Sequence, residues 1–167
     1  MPVKIPTRAA LTRLTPTETR VAERLVTGMS NAQGARELGM SLNTFTGHLA
    51  SIGRKFQINS RTGRPARAHA VLASKQVAPP PAPTSVPDFT TAERRLLCAL
   101  AVHPETPDIA RAAGIAPADV RPQIADLVAK ANADNETHLI GLGHAWRLLD
   151  ADPTGSGCVP GATDKVG

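Results

Sequence analysis

From Ser41 to Arg61 the chain reads SLNTFTGHLASIGRKFQINSR, and Phe45, Leu49, Ile52 and Phe56 recur in it at spacings of four, three and four. That period lays a single apolar stripe along a helix. Ser41 is a good N-cap, because its hydroxyl can accept from an otherwise orphan N–H of the first turn. Asn43, Thr44, Thr46, Gly47, Ala50, Ser51 and Arg54 fall on the opposite face and are small or polar. A core-backed helix with so low and hydrogen-bonding an outer face fits a major groove and reaches base edges and phosphates. The same stripe also describes an ordinary amphipathic surface helix, so the flanking sequence has to decide.

Those flanks punctuate the chain at helix ends. Thr15-Pro16-Thr17-Glu18 is a capping box with proline at the first helical position, after which Val21, Leu25 and Val26 face inward and Gly28 stops the helix. Ser30 and Gln33 form the same box for a short second helix that Gly39 ends. Gly34 inside that helix is unexpected, because glycine costs about 1 kcal/mol relative to alanine there. A fourth helix is expected over about 63–75; Pro65 fits only in a first turn, which favours a start near Thr62 over one at Ser60. Residues 1–13 are basic and aperiodic, and read as a loose arm. Aromatic content is 2% with no tyrosine, so any core is built from Leu, Val, Ile and Ala, which suits short helical bundles. Short helix, glycine turn and longer helix together make a helix-turn-helix.

The stretch from Leu14 to about Leu72 resembles the DNA-binding domain of LuxR-type (GerE-like) transcription regulators. The resemblance rests on the opening Leu14-Thr15-Pro16-x-Glu18, the Gly28-x-Ser30-Asn31 turn and Ala35-x-x-Leu38-Gly39. It continues through Thr44, His48, Ile52 and Lys55 to Ser60-Arg61-Thr62. It implies binding to double-stranded DNA, with Thr44, Thr46, Gly47 and Ala50 expected toward base edges, Thr15, His48, Ser51, Arg54, Lys55 and Arg61 on phosphates, and Asn43 as a further DNA contact. For His48 the alternative is a side chain that packs under the groove helix. The chain departs from the family at Thr44-Phe45-Thr46-Gly47, where Thr-Val-Lys is usual before the histidine, and at Ala50, where a basic residue is common. A different or weaker sequence preference follows, with phosphate contacts retained. The resemblance also implies dimerisation through the fourth helix, here Ala66, His69, Ala70 and Ala73.

Residues 76–88 lie in a proline-rich stretch, ASKQVAPPPAPTSVPD, and read as a stiff extended linker able to span some tens of Å at about 3 Å per residue. Beyond it, 89–150 aligns without a gap on 14–75 at an offset of 75. Thr15, Glu18, Arg20, Leu25, Ala35, Arg36, Gly39, Lys55, Thr62, His69 and Ala70 match Thr90, Glu93, Arg95, Leu100, Ala110, Arg111, Gly114, Lys130, Thr137, His144 and Ala145. A register that keeps the capping box and the turn glycine reads as a second, diverged helix-turn-helix. Thr106-Pro107 opens its second helix, and Ile124, Leu127 and Val128 back its third. Pro122 stands where Gly47 stands in the first copy. Starting the third helix at Asp119 places Pro122 in a first turn and shortens the groove helix. Arg121, Gln123 and Lys130 are its candidate DNA contacts, against the charges of Asp119 and Asp126. Leu142, His144 and Trp146 belong to the last helix, where Trp146 reads as core or interface. If the two fourth helices pair within one chain, His69 comes near His144; the alternative is a homodimer through the second copy, with half-sites about 34 Å apart. Residues 151–167 read as a disordered tail.

Charge separates the halves. Residues 1–76 hold twelve Lys/Arg and three Asp/Glu (+9), while 77–167 hold seven and eleven (−4). The front half therefore favours a polyanion and the rear half does not. Cys98 reads as a free buried thiol, and with Cys158 distant the reduced, cytoplasmic state is expected. No histidine or cysteine pair has a metal-ligand spacing, and no nucleophile–base pattern, phosphate loop or membrane-length apolar run appears. The expectation is an all-α protein of two tandem four-helix helix-turn-helix bundles: a bacterial, cytoplasmic, nucleoid-associated transcription regulator, not an enzyme, needing no cofactor and no metal. With both halves read as such copies, no receiver or autoinducer domain is expected within these residues. A protein-binding adaptor contacting another regulator or RNA polymerase, and a nonspecific chromosome-compacting protein, are the alternatives.

Overall fold

A computed structural model describes residues 13–58 and 62–149. Among these, every regular element is a helix: α1 (Pro16–Val26), α2 (Asn31–Leu38), α3 (Leu42–Lys55), α4 (Arg64–Ala73), α5 (Thr91–Val102), α6 (Thr106–Ala113), α7 (Pro117–Lys130) and α8 (Glu136–Ala145). The basic arm up to residue 12, Arg61, Cys158 and the tail from 150 onward lie outside the described residues.

Local chemistry sets the boundaries. Reciprocal capping boxes start α1 (Thr15 with Glu18), α2 (Ser30 with Gln33) and α5 (Thr90 with Glu93), and Ser41 Oγ accepts from Thr44 N at the start of α3. Gly39 and Gly114 end α2 and α6 in the left-handed conformation, at φ 67° and 73°. The starts of α5, α6 and α7 follow those of α1, α2 and α3 by 75 residues (16 and 91, 31 and 106, 42 and 117).

Two helix starts differ from expectation, one in its cap and one in its position. α4 begins at Arg64, close to the expected start near Thr62, but its N-cap is Gly63, which offers no side-chain bond, in place of a capping hydroxyl. Arg64 holds the turn instead: its guanidinium donates to Met29 O at 2.6 Å and to Asn31 Oδ1, fixing the start of α4 against the α1–α2 connection. α7 runs its full length from Pro117, with Pro122 inside it, so the shortened helix starting at Asp119 is corrected. Tertiary packing offsets the cost of the interior proline: Val120, Ile124 and Leu127 are all buried along one face of the full-length helix. Pro122 is exposed, so the carbonyl that loses its donor can be hydrated.

One continuous cluster of buried side chains runs through both halves, from Val21, Leu25, Phe45 and Ile52 to Leu97, Leu127, Leu139, Ile140 and Leu149. Its seam is α4 against α8, flanked by α1 on α8 and α4 on α5. Close approach there requires Gly141, where a Cβ would stand 2.4 Å from Val26 O and 2.8 Å from Pro80 Cγ. Asn135 Nδ2 donates to Gly28 O at 2.7 Å across the same seam. His69 Nδ1 lies 2.9 Å from His144 Nε2, with the rings tilted by 39°. The 76–88 segment is not a stand-off spacer. Val77 and Pro80 are buried, Gln76 Oε1 accepts from Leu14 N, and Trp146 Nε1 donates to Pro83 O at 2.9 Å. Prolines have little conformational freedom to lose on docking, so a proline-rich strap binds an apolar surface at small entropic cost. Cys98 is half-buried and disulfide-bonded, which corrects the free thiol. No helix among the described residues is long and apolar enough to cross a membrane.

Candidate nucleic-acid interface

The short α2, the left-handed turn at Gly39 and the longer α3 form a helix-turn-helix. What presents α3 is the row Phe45, Leu49 and Ile52, buried against α1 and α2. Gly34 explains itself here: a Cβ on it would meet the Phe45 ring at 2.6 Å, so α2 gives up helix propensity to seat that ring.

Three parallel rows follow from the helical period. Asn43, Gly47, Ala50 and Arg54, spaced four, three and four, are all exposed and form the outermost row. None is acidic, Gly47 has open space where a Cβ would stand, and Arg54 forms no ion pair among the described residues. Thr44, His48, Ser51 and Lys55 form the row that leans toward α1; Thr44 is exposed and the other three are half-buried. Thr46, half-buried on the other flank, bonds back to Asn43 O at 3.0 Å.

The leaning row is partly occupied within the protein. Glu18, buried at the start of α1, accepts from Thr15 N at 2.9 Å, from Ser51 Oγ at 2.7 Å and from Lys55 Nζ, which also donates to Arg13 O. Burial by itself raises the Glu18 pKa, but the bonds from Lys55, the Thr15 N–H and Ser51 outweigh it and lower it from 4.5 to about 2. Sequence patterning shows Glu18 only as a capping residue; its pairing with Lys55, 37 positions away, has no local signature. The expected phosphate-holders Ser51, Lys55 and Thr15 thus tie α3 to α1, while Arg54 and Asn43 stand open. Thr15 Oγ1 accepts from Glu18 N and retains its own hydroxyl hydrogen.

On α7 the positions matching the outermost row are Ala118, Pro122, Ala125 and Ala129, all exposed. The candidate contacts there are otherwise engaged or flanked by carboxylates. Arg121 pairs with Glu136 at 3.2 Å, and Lys130 pairs with Glu93 at 2.7 Å and lies over the Phe89 ring. Gln123 is exposed between Asp119 and Asp126. Of the expected pairing residues, Ala66, Leu142 and His144 are buried and His69, Ala70, Ala73 and Trp146 half-buried. Burial pushes the His69 pKa below its ordinary value.

The class this geometry defines is a helix-turn-helix protein. Residues 12–64, covering α1 to the first residue of α4, match the GerE family, described as bacterial regulatory proteins, luxR family. That family implies a DNA-binding transcription regulator. No curated protein and no solved structure matches the chain.

Proposed function

We propose that the chain is a DNA-binding transcription regulator that lays α3 in the major groove, with Asn43, Gly47 and Ala50 toward base edges and Arg54 on the backbone. Thr44, Thr46 and His48 flank that contact, and the half from 89 to 149 serves as an internal, dimer-like partner of the first through α4 and α8. The carrying observation is the outermost row of α3: exposed, free of acidic side chains and backed by a buried stripe, inside the segment that matches the luxR family. The +9 charge of residues 1–76 favours the same reading, because neutralised phosphates release counterions and supply most of the affinity.

Arg54→Glu is the discriminating substitution. The side chain is exposed, so the fold is expected to hold, while retention of duplex DNA in a mobility-shift assay at low salt is expected to fall at least tenfold. Lys55 is a poorer probe, because its reversal places a carboxylate beside Glu18. An unchanged shift in Arg54→Glu refutes the groove assignment. It also favours the second reading, an adaptor whose acidic rear half contacts another regulator or polymerase.

A further inference from the structure

We infer that one chain carries one DNA-reading helix and recognises a single asymmetric site within one major-groove segment, as a monomer. This rests on the DNA-binding reading above and deepens it by naming the form of the target.

A protein that reads two half-sites must present two helices able to hydrogen-bond, either within one chain or through a self-complementary surface. Within the chain, α7 lacks the chemistry. The positions matching Asn43, Gly47, Ala50 and Arg54 are Ala118, Pro122, Ala125 and Ala129, and none of these side chains can donate or accept a hydrogen bond. The neighbouring row brings Asp119 and Asp126, both exposed, toward any phosphate. The nearby cations, Arg121 and Lys130, are already paired with Glu136 and Glu93. Direct readout needs donors and acceptors aimed at base edges; the Ala/Pro crest supplies none, and Gln123, the uncharged polar side chain of the neighbouring row, stands between the two carboxylates.

Recruiting a second chain is disfavoured for a different reason. The face of α4 is covered by α8, α5 and α1 of the same chain, leaving Ala66, Ala68, Val71 and Leu72 buried. Among the described residues the exposed large hydrophobics are Leu42, Val86 and Val102, on three separate elements. A stable protein–protein interface buries about 1,200–2,000 Å² around an apolar centre, and three scattered side chains form no such centre.

The test selects duplexes from a random-sequence library with the full chain, then measures the mass of the complex on the selected duplex. The expected result is a non-palindromic motif confined to about one helical turn and a complex of one chain per duplex. Adding an inverted second copy of the motif is expected to change affinity no more than about twofold, and Gln123→Glu to change it less than threefold. A palindromic motif, a two-chain complex, a larger gain from the inverted copy or a larger loss in Gln123→Glu overturns the inference while leaving the DNA-binding reading intact. Retention without an enriched motif overturns it as well. Absence of any retention at low salt overturns the DNA-binding reading itself.

Discussion

Glu18→Gln isolates the contact that mounts the groove helix. The carboxylate side chain is 5% exposed and receives the Thr15 N–H, the Ser51 hydroxyl and the Lys55 ammonium. Glutamine keeps the shape, loses the charge and turns an amide N–H₂ toward at least one donor. Lowering the carboxyl pKa from 4.5 to about 2 corresponds to roughly 3.5 kcal/mol of stability at neutral pH, at about 1.4 kcal/mol per unit. Lys55 retains 20% exposure, so solvent screening reduces this, and a loss of about 2 kcal/mol is expected at pH 7. Because the folded-state pKa lies below the unfolded one, this stabilisation is fully present above about pH 4.5. It drains as pH falls toward 2. Urea unfolding followed by helical circular dichroism should therefore show a wild-type-to-variant gap that shrinks to less than half at pH 3. A gap under 0.5 kcal/mol at pH 7, or one of equal size at both pH values, refutes the reasoning. Glu93→Gln is the internal control: the Lys130 and Thr90 bonds lower the Glu93 pKa too, but its side chain is 27% exposed, so the loss should stay under about 1 kcal/mol.

Gly34→Ala should destabilise by about 1–3 kcal/mol despite its better helix propensity, because the new methyl meets the Phe45 ring; a stabilised variant in thermal unfolding sinks that account. Pro122→Ala should do the reverse, raising stability by about 1–3 kcal/mol by restoring an interior helix bond at an exposed position, and an unchanged melting temperature counts against the interior placement. The His69 pKa is pushed down by burial, so its share of stability is present above the ordinary histidine range and is lost as pH falls through the folded-state value. A series from pH 7.5 to 5 should show the decline, and His69→Leu should flatten it; the same slope in that variant excludes His69 as its source.

Helix order was legible from punctuation: Thr15-Pro16-x-Glu18, Ser30 with Gln33, and Gly39 and Gly114 each act within a few residues, so local sequence carries them. The outer face of α3 was legible for the same reason, since a 3.6-residue period sorts Asn43, Gly47, Ala50 and Arg54 from Phe45, Leu49 and Ile52 without knowledge of the fold. Local rules failed at Pro122, and at the start of α4 they gave the position but not the cap, which is Gly63 and not Thr62. At Pro122 the burial of Val120, Ile124 and Leu127 outweighs one lost hydrogen bond; at the start of α4, Arg64 reaching Met29 and Asn31 sets the boundary in place of a capping side chain. Only the tertiary structure decided which cations of the front half face outward and which are turned in on Glu18. It alone laid the 76–88 strap against the helices and closed α4 on α8. Periodicity and capping report a residue's surroundings over one or two turns, whereas an ion pair 37 positions apart or a helix seam 75 positions apart depends on how the chain folds back.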